Sequence, residues 1–302
     1  MSNYSINHNS NLTINRVSSH RIQRFGKGGA ILRSNSPLSD EAIAAAAPSI
    51  FAIDKHESRS ARYTYIPTSD VLAALRREGF QPFSVQQGGS GDEEKRNFTK
   101  HMIRLRHESA LTVGVGATFR EIVLVNSHDG TSSYQLTAGI FRLVCSNGMV
   151  VGEGLMENVK ARHVGDVTQA VIEGCFQILN RMPEVNDSVR EMEAIRLTTP
   201  EREAFARAAL VARYDDVSEA PIEAPKLLTL NRTEDAAPTL WNTLNTVQEN
   251  ITNGGLRYVS ENKNGKRIRR STREIRGIDQ NVGVNRALWT LAEEMKKIKA
   301  QA

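Results

Sequence analysis

Seven histidines, two cysteines and a scatter of carboxylates are the side chains of this 302-residue chain that could do acid–base, nucleophilic or metal chemistry. Their spacing argues against most of it. His8, His20, His56, His101, His107, His128 and His163 form no HExxH, and none stands beside a cysteine at a zinc-ligand interval. His163 and Asp166 lie three residues apart. In a short turn such a pair could touch a metal; it reads equally as a surface imidazole beside a helix cap. Glu153, Glu157 and Asp166 would be the carboxylates of a metal-dependent nuclease, but they match no two-metal spacing. His128-Asp129 is a turn signal before it is an acid–base pair. Cys145 and Cys175 sit in apolar surroundings, where free thiols are small hydrophobes, and two cysteines make no disulfide framework. The sequence therefore assigns no catalytic residue, no cofactor and no metal.

Non-covalent chemistry is better supplied. Arg104 and Arg106 alternate with apolar residues and share one strand face, while Arg142, between Phe141 and Leu143, points the other way. If strand register aligns them, a sheet face becomes cationic and could track a phosphate backbone. The plainer alternative pairs them with Glu108, Glu121 and Glu153 on a wet surface. A second cationic stretch, residues 257–276, holds eight Lys or Arg against two Glu. Asn264-Gly265 marks a hairpin tip within it. Arg257 and Tyr258 then lie on one arm and Lys266, Arg267, Arg269 and Arg270 on the other. Such a basic ribbon could enter a groove or lie along phosphates, with Tyr258 stacked on a base. Between two strands, Asn126, Ser127, His128, Asp129, Ser132 and Ser133 gather small polar groups that either hold a phosphodiester or satisfy a hairpin turn.

These side chains need a scaffold, and residues 99–152 supply its centre. Alternation at 102–107, the β-branched run at 121–126 and the turn residues Asp129-Gly130 and Asn147-Gly148 predict four or five short antiparallel strands. Helical periodicity and caps predict helices at 39–47 (cap Ser39), 68–78 (cap Thr68 or Ser69), 167–180 (cap Asp166), 181–197, 199–214 (cap Thr199), 236–249 and 278–299. Extended pieces are expected at 63–67, 81–85 and 159–163. The fold class is α+β: a central antiparallel sheet packed against several helices, with a basic β-hairpin near the C-terminus. Residues 1–60 read as a flexible arm with a short helix and 61–215 as the sheet–helix domain. Residues 216–302 read as C-terminal helices and hairpin packed on that domain.

Composition sets the outer limits. The chain carries 39 Lys and Arg against 34 Asp and Glu, a net charge of +5 and a pI near 9.3, with mean hydropathy −0.40. No apolar run approaches membrane-spanning length, and the polar N-terminus has no apolar signal segment. A cytoplasmic protein without a membrane partner is expected.

The stretch FRLVCSNG at 141–148, with IVLVNSHDGTSSYQL before it and RHVGD after it, resembles the phage/plasmid-like family of the domain of unknown function 932. The resemblance runs from about residue 60 to the end, closing on RGIDQNVGVNRALWTLAEEM. It implies a setting in bacteriophages, prophages and plasmids, and it transfers no catalytic residue. Asn126, Asp129, Gly130, Arg142, Cys145, Asn147, Gly148, His163 and Trp289 are the positions that carry it. In that setting the expected function is a DNA-binding accessory protein, annealing or protecting single strands. By analogy of short strands followed by a long helix it would form a homo-oligomer. The alternative is a non-enzymatic protein aimed at a host protein, as in counter-defence, and the third reading is the nuclease.

Overall fold

Alternation of side chains along the strands builds the sheet, and the helices that follow decide what becomes of its two faces. The computed structural model describes residues 22–54, 66–110, 118–142, 147–152, 159–161, 166–214 and 216–301. Strands β1 (Gln23–Phe25), β2 (Gly29–Arg33), β3 (Phe80–Gln87), β4 (His101–His107), β5 (Thr118–Asn126), β6 (Tyr134–Arg142) and β7 (Asn147–Val150) follow one another in space as in sequence, and β8 (Val159–Ala161) also pairs with β6. The neighbours are antiparallel throughout. With the helices below, this is the α+β class that the periodicities indicate.

One face carries Leu32, Val85, Ile103, Leu105, Ile122, Leu124, Leu136 and Ala138, all buried in the main core. Against it lie α1 (Asp40–Ala46), α2 (Thr68–Arg77) and α3 (Val167–Ala194). Ser39 caps α1 and Asp166 caps α3, each accepting a backbone N–H from the first turn. Two helices expected at 167–180 and 181–197 are one helix of 28 residues, about 42 Å long at 1.5 Å per residue. Pro183 lies inside it and removes a single N–H donor. Val171, Cys175, Ile178 and Met182 before the proline, with Val185, Val189 and Met192 after it, are buried and hold the axis in place.

The second face was expected to meet water. Instead α6 (Ile278–Gln301) and the end of α5 (Leu240–Asn253) cover it. Met102, Val123, Val125 and Val150 form a small second core with Ile278 and Val282. Lys100 reaches Asp279 at 2.7 Å, and the Gln86 side chain donates to the Arg276 carbonyl at 2.9 Å, fastening α6 over the strands. Behind it α5, buried almost all round, packs among α3, α4 (Thr199–Tyr214) and α6. A separate two-stranded ribbon, β9 (Arg257–Glu261) and β10 (Arg267–Ser271), joins α5 to α6.

Three local expectations are corrected. Asn147-Gly148 is not a turn but the start of β7, paired with Arg142 and Phe141. The cap of α4 is Thr198, whose backbone N–H and hydroxyl both meet the Glu201 carboxylate, one residue before the expected Thr199. Thr68 does not cap α2, because its hydroxyl is engaged elsewhere, as described next. Among the described residues, no helix is long and apolar enough to cross a membrane.

Candidate functional site

The sheet arginines occupy the interior. Glu121, on β5, takes Arg104 Nη1 at 3.0 Å on one carboxylate oxygen and Arg106 Nε at 2.9 Å on the other. Relative exposures of 5% for Arg104, 2% for Arg106 and 1% for Glu121 leave no room for a phosphate backbone. The Arg106 guanidinium is caged by the rings of Phe83, Phe119 and Phe141, with centroids 4.3, 4.1 and 4.7 Å away. Ring faces attract a desolvated cation and replace part of its lost water. Burial nevertheless holds the Arg106 pKa below the ordinary guanidinium value, with Glu121 opposing. Arg104 lies flat on β7 and donates to the Gly148 carbonyl at 2.8 Å. A Cβ at Gly148 would sit 2.4 Å from the Arg104 guanidinium carbon, so any larger residue there would have to displace the guanidinium from its seat.

Arg142 points to the opposite face, as its position between apolar neighbours implied. It meets Asp235 at 2.6 Å, and Asp235 is shared with Arg232, which also forms a two-pronged pair with Glu249 at 2.6 and 2.7 Å. The expected cationic sheet face is therefore corrected: Arg104, Arg106 and Arg142 are buried and paired with acids, because α5 and α6 dry one face and the neighbouring helical layer dries the other.

A second buried cluster surrounds Thr68. Its hydroxyl oxygen lies 2.9 Å from His101 Nε2, 3.1 Å from His128 Nε2, 3.2 Å from the Tyr134 hydroxyl and 3.1 Å from the donating amide of Asn126. Ser49 completes it, 3.0 Å from His101 Nδ1. Burial first, and then His128, push the His101 pKa down to about 3, so its imidazole is neutral. The loop that follows is a satisfied turn: Ser127 accepts from Ser132 N–H at 2.8 Å, and Asp129 from the Thr131 hydroxyl at 2.6 Å.

No group of three or more His, Cys, Asp or Glu among the described residues could hold a metal ion. Asp166 spends its carboxylate on the Gln169 N–H at 3.0 Å, while His163, Glu153, Glu157 and Cys145 lie outside the described residues. Cys175 is buried, and desolvation raises its thiol pKa well above the ordinary value.

The ribbon is the opposite of the sheet. Register pairs Arg267 with Glu261, Arg269 with Val259 and Ser271 with Arg257, so these six share one face. Arg257, Lys263, Lys266, Arg267, Arg269 and Arg270 are exposed, and among the described residues none forms an ion pair. Asn262 ties the tip through the N–H groups of Asn264 and Lys266, with Gly265 at φ 73°. Tyr258 lies on the other face, half-buried against the main core, and is not a free stacking platform. Lys263, beside the tip and in the same basic run, joins the cations that the sequence singles out. At the ribbon's root, Arg213 of α4 donates to the carbonyls of Ile251 and Arg273, on either side of the Gly254-Gly255 bend.

Comparison with known proteins gives a consistent result. The family model described as "Domain of unknown function (DUF932)" matches residues 55–289. Two proteins of Escherichia coli (strain K12), UPF0380 protein YfjQ and UPF0380 protein YafZ, are each 44% identical over 272 residues, covering 90% of this chain and 96% of the relative. No solved structure matches.

Proposed function

Taking as premise that the chain belongs to the DUF932 family, we propose that it is a non-enzymatic nucleic-acid-binding protein whose β9–β10 ribbon holds the phosphate backbone, DNA first. The supporting observation is the contrast in charge pairing: the sheet arginines are buried against acids, whereas the six ribbon cations face water without one. Cations fixed on a narrow two-stranded arm release counterions from a polyanion when they dock, which favours binding and makes it salt-dependent. Single strands are the first substrate to try. With Tyr258 packed inward, contact is to phosphate rather than base, and sequence preference is weak.

Fluorescence anisotropy of labelled single-stranded and duplex oligonucleotides over a range of salt tests this. Six phosphate contacts on a single strand give a log–log slope of about −4. Absence of binding at low salt, or binding indifferent to salt, rejects the reading. One observation favours a protein partner as the second reading: Val259 stands 56% exposed on a ribbon whose outer edges pair with no other strand among the described residues, as strand addition requires. Salt-resistant association with a protein, with no affinity for oligonucleotides, would select it.

A further inference from the structure

The second face of the sheet is not completely filled. Between β2, β3, β4 and the start of α6 there is a half-open pit of about 30 Å³, bordered by Arg33, Ser84, Gln86, Arg104, Thr252 and Asn281. One water needs about 10–15 Å³ of such space, so the pit admits two or three waters or one small ion. No Asp or Glu lines it.

Its charge is unbalanced. Arg104 and Arg106 share the single carboxylate of Glu121, which leaves a surplus cation in a dry layer. Of the five N–H groups of Arg104, three are engaged, by Glu121, Met149 and Gly148, and the others remain for a ligand. Arg33 adds a second guanidinium at the mouth, where solvent still reaches it. Among the described residues its side chain makes no hydrogen bond and no ion pair. Protein surrounds it closely enough that burial, then the Arg104 charge, lower its pKa from the ordinary value, with the Glu274 and Glu121 carboxylates opposing from outside the pit lining. Asn281 turns its amide oxygen to Asn285, leaving its NH₂ group as a further donor. Two guanidinium groups and an amide around a phosphate-sized space are the donor set of an oxyanion site, since guanidinium forks match such oxygens.

We propose that this pit binds a small oxyanion of phosphate size, held between Arg33 and Arg104. The ion is either free or the terminal group of a larger molecule whose remainder stays in solvent at the open side.

The test is calorimetric titration and thermal melting of the full chain with inorganic phosphate, at constant ionic strength set by chloride, repeated with glycerol phosphate as a monoester. Arg33→Ala is the variant of choice, because the Arg33 side chain is solvent-accessible and makes no hydrogen bond or ion pair among the described residues, so the fold is expected to be retained. The expected result is saturable one-to-one binding with a rise in Tm, weakened about tenfold or more in Arg33→Ala, as befits loss of a charge-assisted contact. Equal binding of phosphate and monoester identifies a terminal group; phosphate alone identifies the free ion. Either sustains the pit. The ribbon variant Lys266→Glu/Arg267→Glu must keep the binding. The proposal is overturned by no saturable binding in the wild-type chain, by undiminished binding in Arg33→Ala, or by loss in the ribbon variant instead.

Discussion

Glu121 is the residue on which most rests, since one carboxylate answers two buried guanidinium groups. Glu121→Gln keeps the shape and removes the charge. Breaking a buried ion pair from one side costs about 3–5 kcal/mol. Urea unfolding should register a loss of that size, with an unchanged m-value if the fold survives. A loss under about 1 kcal/mol would mean that the Phe83, Phe119 and Phe141 rings and the β7 carbonyls already neutralise the pair. His101 gives a pH signature. Its folded pKa, about 3, lies below the unfolded value near 6.5, so the unfolded chain binds the extra proton between them. The stability it contributes is complete above about pH 6.5 and is lost as pH falls toward 3, by up to about 1.4 kcal/mol per unit. His101→Gln should flatten the fall of the urea midpoint with acid. An unaltered profile would show that His101 stays neutral in neither state more than the other.

At the level of elements, ribbon and sheet should respond oppositely to charge reversal. Lys266→Glu/Arg267→Glu alters only exposed side chains, so stability should stay within about 0.5 kcal/mol while oligonucleotide affinity collapses. If stability falls with affinity, the ribbon is a structural strap. The hairpin was legible in advance, because Asn264-Gly265 and the flanking residues are local signals. So were the strands of 99–152 and the caps Ser39 and Asp166. What failed was non-local. Alternation said correctly that Arg104 and Arg106 share a face, but whether that face is wet is decided by α6, which begins at Ile278, more than 170 residues further along the chain. Asn147-Gly148 carries a turn signal, but the constraint on Gly148, the Arg104 guanidinium lying over it, comes from another strand. Thr68 looked like a cap because its real partners, His101, His128, Asn126 and Tyr134, are dispersed over three strands and a loop.

Across the whole molecule, the sheet is a middle layer with helices on both sides, unlike a half-wet antiparallel sheet. A chain ending before Ile278 would uncover Met102, Val123, Val125 and Val150 together with the charged cluster. Such a truncated chain is expected to bind a hydrophobic dye and to melt without a sharp transition. A cooperative melt like that of the full chain would make α6 an ornament rather than a wall. The Glu121 bridge has one more consequence, for how the strands find each other. Sliding β5 along β4 by two residues keeps every apolar group on its proper side, so oiliness alone hardly opposes the error. The charges do oppose one direction of slip: with Val125 brought opposite Arg104, Glu121 would lie too far along to reach that guanidinium, whereas the reverse slip sets Glu121 across from Arg104 and still beside Arg106. The ionic trio thus works as a one-way catch, discarding on charge a misalignment that greasy contacts could not tell from the true one.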